Sequence, residues 1–284
     1  QDAISINPQY AETYFYYANL LRIQYKLDEA ITYYQKAISI NPEYLNAYNN
    51  LGITFRIQDK LEEALKSYQK AISIDPEYFL AYNNLGNILQ WQDKFEEASS
   101  YYKKAISINP QYTETYNNLG NALQAQGKFE EATKNYKKAI ALDPEYRDAY
   151  YSLSRLQLSL LDFTNGWKHY SYRLPKQNEI LNKTLYQQGQ TLTNKTIYLY
   201  PEQGFGDLIM VCRFLTSFIN TGAHVICLIY PTFNHLFKYN FPEVEFINNT
   251  HRGHYDYHLP IMDAPKIFNI NHQNMPFTKH YLSV

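Results

Sequence analysis

The chain has 284 residues, enough for about two domains, and its 45% apolar and 19% charged residues are ordinary for a folded globular protein. A formal net charge of −1 provides no bulk attraction for nucleic acid or an anionic membrane, so we expect neither as a partner. The two cysteines, Cys212 and Cys227, lie in no spacing typical of a disulfide framework or a metal site. We therefore expect a cytoplasmic protein without a bound metal.

A 34-residue repeat dominates the first half of the chain, with prolines at positions 8, 42, 76, 110 and 144. Tyr48, Leu51, Gly52, Ala64 and Tyr68 return one repeat later as Tyr82, Leu85, Gly86, Ala98 and Tyr102. This pattern resembles the tetratricopeptide repeat family, which implies an α-solenoid of helix pairs with a concave groove for a protein or peptide. We assign residues 1–173 to it, with units at 11–44, 45–78, 79–112 and 113–146 and a degenerate cap at 147–173.

Asparagines recur on the first helix of each unit, on the face that should line the groove: Asn19, Asn49, Asn50, Asn83, Asn84, Asn87, Asn117, Asn118 and Asn121. An amide both donates and accepts, so such a column suits the backbone of an extended peptide. The segment "AYNNLGNILQ" is similar to the repeats of the O-linked N-acetylglucosamine transferase family. That resemblance implies a peptide-binding role for Asn50, Asn84 and Asn118. Duplication of one unit would produce the same columns without any peptide contact, so both interpretations stay open.

A different composition begins after a polar linker, which we place at 174–194. Strands are predicted at 195–200, 225–230, 244–247 and 255–259, and helices at 208–218 and 232–239. This alternation predicts a parallel, doubly wound sheet in residues 195–284. The loop with Gln203, Gly204 and Gly206 follows the first strand, where such sheets bind ligands.

The segments "EQGFGDLIMVCRFL" and "YDYHLPIMDAPKIF" resemble bacterial repeat proteins with a heptosyltransferase-like glycosyltransferase domain. This resemblance implies a partial Rossmann-like fold, the N-terminal half of a GT-B type enzyme. It also implies that Asp207 is a general base and that a nucleotide-sugar is the donor substrate. A helix cap is the alternative role for Asp207. Since the chain stops at Val284, we expect it to lack most of the donor site and to be inactive alone, with no cofactor of its own.

Two functions are compatible with these observations. In the first, the repeats present an acceptor polypeptide to the glycosyltransferase-like domain, which transfers sugar to it. In the second, the protein is a non-catalytic scaffold, in which the repeats assemble protein partners and the second domain has no activity. The residues themselves do not separate an enzyme from a scaffold.

Overall fold

The structure, a computed structural model, describes residues 9–173, 184–202, 205–249, 253–271 and 273–274. The chain divides into two compact units between Ala149 and Tyr150. In the described residues the first unit is helical and the second contains a parallel sheet. The predicted combination of a repeat solenoid with a parallel sheet is therefore confirmed at this level.

Each repeat in the first unit is a pair of helices. The first helices of the four repeats are α1 (Ala11–Ile23), α3 (Leu45–Ile57), α5 (Phe79–Trp91) and α7 (Thr113–Ala125). The second helices are α2 (Leu27–Ile40), α4 (Leu61–Ile74), α6 (Phe95–Ile108) and α8 (Phe129–Leu142). A further helix, α9 (Arg147–Ser159), begins at the next repeat position and contains the division between the units.

A glycine in the first helix lets the two helices of a repeat come together. A Cβ atom added to Gly86 would lie 2.5 Å from Cε1 of Tyr102. A Cβ atom added to Gly52 would likewise lie 2.5 Å from Cε1 of Tyr68. Both tyrosines are fully buried, as are Ala64 and the equivalent alanines of the second helices. Small residues and one large ring thus fill the space between the helices at close to crystal-like density.

Successive repeats contact each other mainly where the second helix of one repeat packs against the first helix of the next, as α2 does against α3 and α6 against α7. The pairs α1 and α3, α3 and α5, and α5 and α7 lie in closer contact than successive second helices do. In a curved stack, the layer whose members approach most closely is the inner one. The first helices therefore line the inner face of the first unit, as the sequence predicts.

Each first helix ends in the same turn. The residue after its C-cap has a left-handed backbone, with φ of 62° at Tyr25, 60° at Asp59, 58° at Asp93 and 74° at Gly127. The amide of the next residue then donates to a carbonyl near the end of the helix, as Lys94 does to Leu89 at 2.9 Å. This bond satisfies a carbonyl that the helix leaves free, so the turn reverses the chain without help from a side-chain cap.

Replacing Gly86 with Ala should destabilise the first unit by about 1–3 kcal/mol, because the new methyl group must displace the buried Tyr102 ring. Chemical denaturation followed by circular dichroism measures this change. Gly127→Ala is not a packing control, because its φ is positive. A suitable control is Ser100→Ala, at an exposed position of α6. An unchanged denaturation midpoint for Gly86→Ala would contradict the proposed packing.

In the described residues of the second unit, five strands form a parallel sheet: β1 (Thr184–Leu185), β2 (Thr196–Tyr200), β3 (His224–Leu228), β4 (Glu245–Ile247) and β5 (Tyr257–Pro260). Its helices are α10 (Phe163–Tyr170), α11 (Phe205–Val211), α12 (Leu215–Ile219), α13 (Asn234–Asn240) and α14 (Ala264–Ile267). Buried residues of β2, β3 and the flanking helices, among them Leu199, Cys227 and Phe218, form one apolar core.

The strand order is β1-β5-β2-β3-β4. The chain runs from β2 outward to β3 and β4, and then returns to place β5 on the other side of β2. The order therefore reverses between β2 and β5, and their carboxyl ends form the kind of crevice in which parallel sheets bind ligands. This topology agrees with the predicted parallel sheet, although it does not by itself assign the unit to a glycosyltransferase.

Two details differ from the sequence analysis. The predicted helix at 208–218 is divided into α11 and α12 by a tight turn, Cys212–Phe214. Here the Cys212 thiol donates to the Ile209 carbonyl and Arg213 Nε to the Met210 carbonyl, at 2.9 and 2.8 Å. These side-chain donors favour the tightened turn. Part of the predicted linker also pairs with the sheet, because β1 lies beside β5.

Candidate functional site

The asparagines on the inner face of the first unit form three columns. In the first column, each Nδ2 donates to an asparagine of the preceding repeat. Asn50 donates to Asn19 at 2.8 Å, Asn84 to Asn49 at 2.8 Å, and Asn118 to Asn87 at 3.1 Å. These three side chains are partly exposed. The bonds fix the orientation of each amide and link neighbouring repeats.

The second column is buried. Asn49, Asn83 and Asn117 have exposed fractions of 6%, 2% and 6%. Asn83 Oδ1 accepts from Thr115 Oγ1 at 3.0 Å and from Asn118 Nδ2 at 3.3 Å. Asn117 Oδ1 has no partner among the described residues, and the counterpart of Asn118 one repeat later is Ser152, which has no amide to donate. These side chains position the first column and are not themselves open to a ligand.

The third column accepts hydrogen bonds from buried tyrosines of the second helices. Tyr34 donates to Asn19 at 2.6 Å, Tyr102 to Asn87 at 2.8 Å, and Tyr136 to Asn121 at 2.8 Å. Burial raises the pKa of Tyr34 and Tyr102, so their hydroxyls remain protonated donors. The tyrosine hydroxyls thus reach the inner face, and the asparagines satisfy them.

The second repeat breaks this column. Ile53 stands where the other repeats have asparagine, and the buried hydroxyl of Tyr68 has no hydrogen-bond partner among the described residues. In the third repeat the corresponding Tyr102 has two acceptors, Asn87 at 2.8 Å and Gln90 at 3.2 Å. The sequence analysis did not identify these tyrosines as part of the inner face. The signal was present, because Tyr34, Tyr68, Tyr102 and Tyr136 recur every 34 residues.

This difference predicts unequal costs for the same substitution. Tyr102→Phe leaves the amide acceptors of Asn87 and Gln90 without the proton that they share, and should destabilise the first unit by about 1–2 kcal/mol. Tyr68→Phe leaves no amide acceptor without a donor and should cost less. Equilibrium unfolding in urea compares the two variants, each serving as the control for the other. Equal destabilisation by both would contradict the described network.

The crevice of the second unit was predicted to hold the catalytic loop. Gln203 and Gly204 lie outside the described residues, and Gly206 and Asp207 lie in α11, directly after that gap. The side chain of Asp207 is not described. The placement of α11 after β2 agrees with a loop at the carboxyl end of a strand, and the roles of these four residues stay predictions.

A buried ion cluster lies at the ends of β2 and β5. Arg173 Nη1 is 2.7 Å from Asp263 Oδ1, and Arg173 Nη2 bonds to Glu202 Oε2. Burial opposes the charge of Arg173, but the two carboxylates raise its pKa, so it stays charged. Burial also opposes the charge of Glu202, and it therefore raises the pKa of that carboxyl group. The cluster ties the turn after α10 to both strands that border the crevice.

A cavity of about 280 Å³ lies elsewhere in the second unit. It is lined by Phe163, Trp167, Lys168, Gln188, Lys266 and neighbouring residues that include Asn269 and Asn271. The sequence did not predict this cavity, because α10 and the loop after α14 are distant in the chain.

Among the described residues, no group of His, Cys, Asp and Glu side chains is arranged to hold a metal ion. No helix in the described ranges has the length and apolar character that crossing a membrane requires.

Solved structures resemble the chain at the level of fold. The structure titled "Functional Characterization of Pseudomonas Aeruginosa pilF" matches with a TM-score of 0.57 at 16% identity, covering 83% of this chain and 93% of that chain. MamA residues 41 to the end from Desulfovibrio magneticus RS-1 match with a TM-score of 0.50 at 19% identity, covering 57% and 91%. YrrB, described as a TPR protein with an unusual peptide-binding site, matches at 24% identity over 60% and 88%, but its TM-score of 0.47 is too low to argue from.

Family comparison gives a firmer result. No curated protein matches the chain in sequence. Models described as tetratricopeptide repeat match residues 1–32 and 77–145, and a model described as TPR repeat matches 18–58 and 54–93. Together they cover 1–145, about half of the chain and the same part in which the structure contains the helix pairs. Through these residues, the chain belongs to the tetratricopeptide repeat family.

Proposed function

We propose that the first unit is a protein-interaction scaffold that holds an extended peptide along its first helices through Asn50, Asn84 and Asn118. The observation that carries this proposal is which hydrogen-bonding groups of these amides are already engaged and which are open. Each Nδ2 is engaged by the preceding repeat, while Oδ1 of Asn84 and of Asn118 accepts no hydrogen bond from a described residue. An oriented, partly exposed acceptor suits a peptide N–H group.

The repeat spacing favours an extended backbone. Packed helices lie about 8–10 Å apart, which corresponds to about three residues of a polyproline II chain, whose three-residue turn brings every third N–H to the same side. One asparagine per repeat would therefore meet every third N–H of the peptide. Contacts made to the backbone alone select few side chains, so this column would accept many sequences.

Replacing Asn50, Asn84 and Asn118 together with Ala should weaken the binding of unrelated peptides by at least about tenfold, because each lost hydrogen bond contributes about 0.5–1.5 kcal/mol. Fluorescence anisotropy measures the affinities. Because the same amides link the repeats, circular dichroism must first show that the variant is folded at the assay temperature. Asn135→Ala is the control, because this partly exposed asparagine of the second helix α8 bonds only to the Glu131 carbonyl of its own helix.

A second arm tests the backbone contact directly. Methylating every N–H of the peptide should abolish binding, whereas methylating only every third N–H should not, because backbone contacts allow the peptide to shift its register. Affinity that is unchanged in the triple variant, or kept by the fully methylated peptide, would contradict the proposal.

Sugar transfer is a second candidate function, supported by the reversal of strand order beside β2 and by the position of α11. In this proposal Asp207 accepts a proton from an acceptor hydroxyl, the sugar comes from a nucleotide-sugar, and Gln203, Gly204 and Gly206 border the site. A carboxylate at the start of a helix stays ionised and is suited to this role.

Asp207→Asn should lower sugar transfer by ~10²–10⁴-fold in the protein purified from its native cells, because the amide keeps the capping ability but cannot take up the proton. Transfer of labelled sugar from a panel of nucleotide-sugars to protein acceptors measures it. Glu243→Gln, at an exposed position before β4, is the charge-matched control. Near-normal transfer by the Asn variant would limit Asp207 to a cap, and no transfer by the unmodified protein would leave the scaffold function alone.

A further inference from the structure

One position of the first helix is occupied by different residue types in different repeats. It is occupied by Arg22 and Arg56 in the first two repeats and by Gln90 and Gln124 in the next two. The two glutamines accept from the tyrosine hydroxyls, Gln90 from Tyr102 at 3.2 Å and Gln124 from Tyr136 at 2.9 Å. Arginine cannot replace them in this role, because a guanidinium only donates.

The second repeat therefore has donors without an acceptor. The Tyr68 side chain is fully buried, and its hydroxyl finds no acceptor among the described residues. Burial raises the pKa of Tyr68, and the charge and donor contact of Arg56 oppose that rise, so the guanidinium beside the hydroxyl is a second donor. Ile53 offers no acceptor in the position that asparagine has elsewhere. An unsatisfied buried hydroxyl beside a cation indicates a missing anionic or strongly accepting group.

The first repeat shows the same excess of donors. Arg22 Nε is buried and has no hydrogen-bond partner among the described residues. The charge of Arg22 likewise opposes the raised pKa of Tyr34, which is caused by burial. Neither Arg22 nor Arg56 forms an ion pair with a described residue. Two successive repeats thus carry, close to the tyrosine hydroxyls, guanidinium groups that no described carboxylate neutralises.

An exposed aromatic ring holds one of these cations. The Arg56 guanidinium lies over the Trp91 ring, with its Cζ 5.0 Å from the ring centroid, and Trp91 is 58% exposed. Stacking on an indole pre-organises a guanidinium without neutralising it. The acidic residues of the first helices lie farther away: Glu12 and Glu114 precede Arg22 and Gln124 by ten residues, about 15 Å along a helix.

We propose that the first two repeats recognise an acidic side chain of the bound peptide, an Asp or Glu whose carboxylate accepts from Arg56, with Arg22 receiving a second acidic residue one repeat away. This inference rests on the proposed peptide-binding function and specifies its ligand. The asparagine column holds the backbone, and the two arginines select peptides with carboxylates about three residues apart.

The chain itself supplies the conservative substitution for a test. Arg22→Gln with Arg56→Gln places in the first two repeats the residue that repeats three and four already carry. The control is Lys66→Gln with Lys70→Gln, which removes the same charge from exposed positions of α4. The probes are two peptides of twelve residues, acetylated and amidated so that no terminal carboxylate remains. One carries two Glu residues three positions apart, and the other carries Gln at the same places.

The unmodified chain should bind the Glu peptide about tenfold more tightly than the Gln peptide in low salt, and this preference should shrink in high salt. The arginine variant should lose the preference and keep its affinity for the Gln peptide, while the lysine variant keeps both. If the unmodified chain binds the two peptides equally, the acidic preference is overturned and the backbone contact stands. If it binds neither peptide, the peptide-binding function is overturned as well.

Discussion

The approach of a glycine backbone to a tyrosine ring determines much of the first unit. Because Gly52, Gly86 and Gly120 have no side chain, the tyrosine ring of the second helix lies directly against the first helix. The ring then passes between the helices, and its hydroxyl emerges on the inner face. The asparagines and glutamines there satisfy that hydroxyl. A packing requirement of the core thus decides which polar groups the inner face must carry, and a repeat that departs from the pattern has unsatisfied donors.

The second unit depends on a different interaction. The reversal of strand order opens a crevice at the ends of β2 and β5, and the chain fills part of it with Arg173, Glu202 and Asp263. Removing such ions from water is costly, and one cation faces two carboxylates, so the cluster favours a defined arrangement over maximal stability. The ion cluster therefore fixes the shape of the crevice, at a desolvation cost that an apolar contact would not have.

Much of this structure could be predicted from the sequence, and the rest depends on three-dimensional relations. Four repeats, their helix pairs and the parallel strands follow from spacing and periodicity, since both report local geometry. The asparagines were predicted as residues of the inner face, but the bonds from Asn84 to Asn49 and from Asn118 to Asn87 depend on the rotation between neighbouring repeats. The partner of Tyr102 and the pairing of β1 with β5 likewise join residues that no local pattern connects.

The amide bonds between neighbouring repeats also bear on how the array melts. In a linear array, stability is a sum of repeat terms and interface terms, and the bonds made by Asn50, Asn84 and Asn118 add to three successive interfaces. A ligand that spans several repeats strengthens all the interfaces it covers at once. Occupancy of the inner face would therefore make repeats that can open separately behave as one cooperative block.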